Sequence, residues 1–200
     1  LANAYPITRQ VLLDNEIKQI LKSQSLPKNA VKAVVEAEHL VGLDKLPLLS
    51  QVSVLEMKTY MQNVLLRDTD QMSMASALEV RVPFLDHELV ELALGISDKL
   101  KYPTTPKRLL IESLDDLLPS EVVNRPKMGF VLPWENWLKN ELRDFAESSL
   151  QNLSKRGLFH EKELMALWQK FLDGHHAVTW SRLWPLIVLE NWMQKHNVES

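Results

Sequence analysis

The sequence predicts a predominantly helical chain, and three observations carry that reading. Glycine is scarce: Gly42, Gly95, Gly129, Gly157 and Gly174 each stand alone, while ten prolines act as punctuation. Apolar residues recur at three- and four-residue steps over long stretches. No strong pattern of buried parallel strands appears.

Val11, Leu12, Ile17, Ile20 and Leu21 form an apolar stripe that predicts a first helix from about Thr8 to Lys22. Ser25-Leu26-Pro27 restarts the chain, with Pro27 suited to a first helical position, and a second helix runs to about Val41. Leu46-Pro47 opens a longer helix to about Leu66. Its apolar face (Leu48, Leu49, Val52, Leu55, Met57, Tyr60, Met61, Val64, Leu65) is broad enough to predict heavy burial. A short helical piece follows Asp70, with Met72 and Met74 as core filler. The alternation in Glu79-Val80-Arg81-Val82-Pro83 predicts extended chain, with Val80 and Val82 toward the core.

A helix from Asp86 to Gly95 comes next, capped by Asp86 and stopped by Gly95. Thr105-Pro106-Lys107 reads as another start, with threonine as cap. Pro133 opens a helix bearing Trp134, Trp137 and Leu138. Two more span Glu161 to Leu172, closing near Gly174, and Val178 to about His196. In the last, Trp180, Trp184 and Trp192 predict a packed stripe and heavy burial. No basic residues interleave with them, so a base-stacking platform is the weaker reading.

Composition narrows the function classes. Two hundred residues, 46% apolar and 24% charged, suffice for one ordinary globular domain with a core. A net charge of −3 argues against a nucleic-acid surface. The chain has no cysteine, which excludes disulfides and thiolate metal sites within it and fits a reducing, cytoplasmic setting. No apolar run reaches membrane-span length, and no membrane role is expected.

Two segments hold charges that a helical core has no reason to place there. In Arg125-Pro126-Lys127 the proline disfavours helix for the residue before it, so the triplet is expected to be extended. Two cations then project to one side, with Gly129 beyond to permit a close approach. A planar fork beside a point charge suits a phosphate. Arg125 has a second reading, as an anchor of the loop to a carboxylate. In the other segment, Glu79 and Arg81 share one face, and the plain reading is an ion pair that orients a loop. Asp70 and Asp86 read as helix caps supporting these loops. His175-His176 reads as an exposed loop pair, with no third ligand at a metal-binding spacing, and no metal ligands are assigned.

These segments, in their order, resemble the synthetase domain of the glutamine-dependent asparagine synthetase family. The resemblance runs through Leu65-Leu66-Arg67-Asp68-Thr69-Asp70-Gln71-Met72-Ser73-Met74, then Leu78-Glu79-Val80-Arg81-Val82-Pro83-Phe84-Leu85-Asp86, then Lys107 with Leu109-Leu110. It continues through Leu118-Pro119, Arg125-x-Lys127-x-Gly129-Phe130, Pro133, Leu183-Trp184 and Glu190-Asn191-Trp192. It covers residues 47 to 193; residues 1 to 46 form a helical lead-in, and 1 to 200 make one domain fragment.

The resemblance implies the helical C-terminal portion of an α/β ATP-pyrophosphatase-type domain whose nucleotide-binding sheet lies mainly upstream. The family's Ser-Gly-Gly-x-Asp-Ser loop, its Gly-Gly-Asp-Glu segment and its glutaminase cysteine do not occur here. At the position after Asp70 where the family usually carries arginine, this chain has Gln71. The implied reaction is a ligase's: ATP adenylates aspartate, pyrophosphate leaves, and ammonia made from glutamine by an upstream domain attacks. Magnesium would accompany the ATP, its ligands mostly outside this chain. Lys127 would contact the ATP phosphates, Glu79 would take a proton from the attacking nitrogen, and Arg125 and Gly129 would line the phosphate site. The alternatives left open are a relative that activates another carboxylate, in a peptide, sugar or β-lactam precursor, and a non-catalytic helical half acting with a partner. A homodimer is also left open. These 200 residues alone are expected to bind ATP weakly.

Overall fold

The computed structural model describes residues 4–23, 25–26, 28–37, 40, 42–101, 107–126, 128–129 and 132–198. Among them every regular element is helical, in keeping with the predicted class. The one departure among the described residues is an isolated antiparallel bridge between Leu21 and Phe159. By its internal contacts the chain divides into two units: Leu1–Arg9 with Lys28–Met128, and Gln10–Pro27 with Gly129–Ser200.

The second unit has the larger core. Leu138, Leu150, Leu153, Leu164, Leu183 and Ile187 have no exposed surface, and Trp168 and Phe171 stack at 5.6 Å between ring centres. Helices Arg143–Lys155, Glu161–Leu172 and Trp180–Lys195 supply most of it. The first of these is absent from the sequence reading, although Ala146, Leu150 and Leu153 repeat at helical steps. The second has the predicted bounds. Its end is a Schellman turn: Gly174 has φ +74°, its N–H donates to the Phe171 carbonyl, and His175 N–H donates to Lys170 at 2.9 Å. Trp134 lies 5.8 Å from Trp180 and 4.3 Å from Trp184, so those two pack as predicted, whereas Trp192 is exposed.

The predicted Thr8–Lys22 helix is instead two short ones, Tyr5–Thr8 and Asp14–Ile20. Leu13 is extended, and its N–H donates to the Glu16 carboxylate at 2.8 Å, a local bond that competes with continued helix. Asn29 marks the next start. Its Oδ1 accepts from Lys32 N–H ahead of helix Ala30–Ala37. Pro27 and Val41 lie outside the described residues.

In the first unit the chain is helical without a break from Leu48 to Met74, but Met57–Leu66 is wound as π-helix. The predicted burial of this stretch is not found. Leu55 and Thr59 are enclosed, while Leu48, Tyr60, Val64 and Leu65 are exposed. Buried Thr59 is pinned from outside the helix: Tyr5 Oη bonds Thr59 Oγ1 at 2.8 Å and donates to Glu56 at 2.8 Å, and Arg9 pairs with the same carboxylate. Met72 and Met74, at 72% and 56% exposure, are surface residues and not core filler. Cover among the described residues is partial: Tyr5, Leu43 and Leu55 form the buried apolar cluster of this unit, with Val31, Val35, Leu40, Leu46 and Val54 packed against it, and the rest of the face stays exposed.

Candidate functional site

Glu79 and Arg81 stand in the non-helical stretch between Ala77 and the short 3-10 turn Pro83–Leu85. Arg81 Nε donates to Glu79 Oε1 at 2.9 Å, so the two share a side as the alternation predicts. The Arg81 side chain is 85% exposed and that of Glu79 70%. An exposed pair of this kind contributes little to stability, about 1 kcal/mol or less. Val80 and Val82, predicted to face a core, are 46% and 43% exposed. Alternation puts them opposite Glu79, but no apolar layer among the described residues lies there to receive them.

Asp86 caps as predicted. Its Oδ1 accepts from the N–H groups of Glu88 (3.0 Å) and Leu89 (3.4 Å), fixing the start of helix His87–Gly95. Asp70 does not cap. It lies inside helix Arg67–Met74, exposed, because the helix runs on unbroken from Leu48 and leaves no end at Gln71 to satisfy. Gly95 ends its helix without the left-handed turn, for Ile96 follows in extended conformation.

Arg125 is exposed after the short helix Ser120–Val123, its N–H donating to the Val122 carbonyl at 3.4 Å. Among the described residues its guanidinium has no carboxylate partner. Gly129 is exposed and begins the other unit's second segment. Lys127, Thr105 and Pro106 lie outside the described residues, and Lys107 heads helix Arg108–Ser113. Of the predicted site residues, the structure brings together Glu79 with Arg81. Two concavities of the second unit, one around Trp184, Val188 and Trp192 and one around Glu16, Lys170 and Arg182, contain none of them.

Two networks escaped the sequence reading. Asp98 caps helix Leu48–Glu56 from a distance: its Oδ2 accepts from Leu49 N–H at 2.8 Å and its Oδ1 from Ser50 Oγ at 2.7 Å. Lys101 Nζ donates to Ser50 Oγ at 2.8 Å and lies 3.7 Å from Asp98. Desolvation pushes the Asp98 carboxyl up, but the bonds from Ser50 and Leu49 and the Lys101 charge together hold it below its ordinary value. In the second unit Glu190, 1% exposed, accepts from Arg156 Nε at 2.5 Å and Nη2 at 3.1 Å, and from Gln194 at 2.7 Å. Arg156 also donates to the Val198 carbonyl at 2.7 Å. Nothing in the spacing of these residues announces either link. His175 and His176 are exposed with rings stacked at 4.9 Å, and among the described residues no group of three His, Asp or Glu could hold a metal ion.

The family model for asparagine synthase matches residues 6–194. The chain belongs to the asparagine synthase family. Among curated relatives, asparagine synthetase [glutamine-hydrolyzing] 1 of Bacillus subtilis is 30% identical over 148 residues, 72% of this chain and 23% of that protein. A putative asparagine synthetase [glutamine-hydrolyzing] of Mycobacterium tuberculosis is 32% identical over 143 residues, 69% of this chain and 21% of that protein. The rat asparagine synthetase [glutamine-hydrolyzing] is 36% identical over 91 residues. No solved structure matches the chain. The chain thus spans under a quarter of the length of these asparagine synthetases. Among the described residues no helix is long and apolar enough to cross a membrane.

Proposed function

We propose that this chain is the C-terminal part of the ATP-dependent synthetase region of an amidotransferase ligase that adenylates aspartate and transfers ammonia to it. The observation that carries the reading is the family match over residues 6–194, which encloses both charged segments.

In this reading a carboxylate oxygen of aspartate attacks the α-phosphorus of ATP, and the bond to pyrophosphate breaks. Lys127 and Arg125 offset the charge that gathers on the departing pyrophosphate, and Gly129 leaves room for it. Ammonia then attacks the acyl carbon, Glu79 takes a proton from the nitrogen, and AMP leaves. Arg81 orients Glu79 through the 2.9 Å bond, and Asp86 caps the helix that follows. The alternative role of Arg125, anchoring to a carboxylate, has no partner among the described residues. The described residues hold no carboxylate cluster fit for magnesium, so no step is assigned to that ion. Glutamine-derived ammonia requires a partner domain, as the chain has no cysteine for glutaminase chemistry.

Aspartate is favoured over other carboxylates because the curated relatives cited here are named asparagine synthetases. The test is ATP–pyrophosphate exchange in the complete protein, with aspartate against glutamate and peptide carboxylates. Exchange that depends on aspartate supports the reading. Exchange with a different carboxylate replaces the substrate, and none with any carboxylate defeats the adenylation reading.

A further inference from the structure

Among the described residues three helices end in the same hydrogen-bonded turn. At Gly174 and Asn197 the left-handed position is filled by the residues that tolerate it, with φ +74° and +51°. Met193 and Lys170 accept the closing bonds of those two, each at 2.9 Å. The third ends the long Leu48–Met74 helix. Leu78 N–H donates to the Ser73 carbonyl at 2.9 Å, Ala77 N–H donates to Met74 at 2.9 Å, and Ala77 sits at φ +53°. Alanine has neither the freedom of glycine nor the local hydrogen bonding of asparagine, so this conformation is strained. Such strain persists where surrounding bonds hold it, and it gathers at functional segments.

The strained turn lies two residues before Glu79. Ala75 through Arg81 are exposed, so no core dictates the direction in which the chain leaves the helix. We propose that Ala77 is a positioning residue: its left-handed conformation aims the Leu78–Val82 stretch and thereby sets the place of Glu79. The inference rests on the reading of Glu79 as the proton acceptor. Glycine would keep the turn but also admit other exits, while a β-branched residue cannot adopt it without further strain.

The experiment measures ammonia-dependent asparagine formation, ATP–pyrophosphate exchange and thermal midpoint in the complete protein for Ala77→Gly, Ala77→Val, Glu79→Gln and a core control, Ile187→Val. Ala77→Gly is expected to raise the midpoint by about 2 °C and keep asparagine formation within about twofold. Ala77→Val is expected to lower kcat for asparagine formation by roughly tenfold or more with KM for ATP unchanged, as displaced catalytic groups do, while exchange, which precedes the proton transfer, is retained. Ile187→Val should lower the midpoint yet leave kcat alone. If Glu79→Gln collapses asparagine formation but Ala77→Val behaves like Ile187→Val, the positioning role is overturned and the site reading stands. If Glu79→Gln retains asparagine formation, the site reading fails and the inference falls with it.

Discussion

In the unit built on Arg143–Lys155, Glu161–Leu172 and Trp180–Lys195, leucines from every helix are enclosed and a buried carboxylate is bonded to Arg156. In the other unit Leu78, Phe84, Leu92 and Leu117 lie on the surface, and Glu79, Arg81 and Arg125 lie there too. Stability and candidate chemistry are therefore held by different means. Packing fixes the first. Hydrogen bonds at helix ends fix the second: the turn at Ala77, the Asp86 cap and the long-range Asp98 cap.

The largest expected effect follows from this division. Trp168→Ala removes an enclosed ring and should destabilise its unit by about 3–5 kcal/mol, and Leu150→Ala by about 2–5 kcal/mol, read from urea midpoints. Phe84→Ala, a larger loss of side chain than Leu150→Ala, should change stability by only about 0.5 kcal/mol or less because that ring is 65% exposed. Equal losses from Phe84→Ala and Leu150→Ala would erase the contrast between the units.

A smaller effect concerns acid. The folded Asp98 pKa lies below its ordinary value of 3.8, so its stabilising contribution is present in full above that pH. It is lost as pH falls through the lowered folded value, when the cap takes up its proton. Asp98→Asn should flatten that part of the acid profile of helix Leu48–Glu56, followed by hydrogen exchange of the Leu49 and Ser50 amides. An unchanged profile would show that the cap does not govern it. The smallest effect on stability is expected for Phe84→Ser, which should nonetheless reduce self-association of the chain in sedimentation by shrinking the exposed apolar surface.

The helical class, the Glu161–Leu172 bounds and the Asp86 cap were legible because each depends on local spacing. So was the sharing of one side by Glu79 and Arg81. The burial of Leu48, Val80 and Met72 was misread, since an apolar pattern states which face seeks cover and not whether cover exists. Asp70 was misread as a cap because a helix end was assumed where the chain runs on. The Asp98–Ser50 and Arg156–Glu190 bonds join residues 48 and 34 positions apart, distances at which spacing carries no signal.

The central claim is that the Arg125–Gly129 segment serves adenylation, and Lys127 tests it most directly. In the complete protein, ATP–pyrophosphate exchange and glutaminase activity are measured side by side for Lys127→Ala and Lys127→Arg. Lys127→Ala should slow exchange by roughly a hundredfold, the effect of losing about 3 kcal/mol of transition-state stabilisation, and leave glutaminase unchanged. Lys127→Arg should recover little, because a planar fork does not replace a compact charge. Near-normal exchange in a folded Lys127→Ala protein would contradict the account and return Lys127 to an ordinary loop lysine.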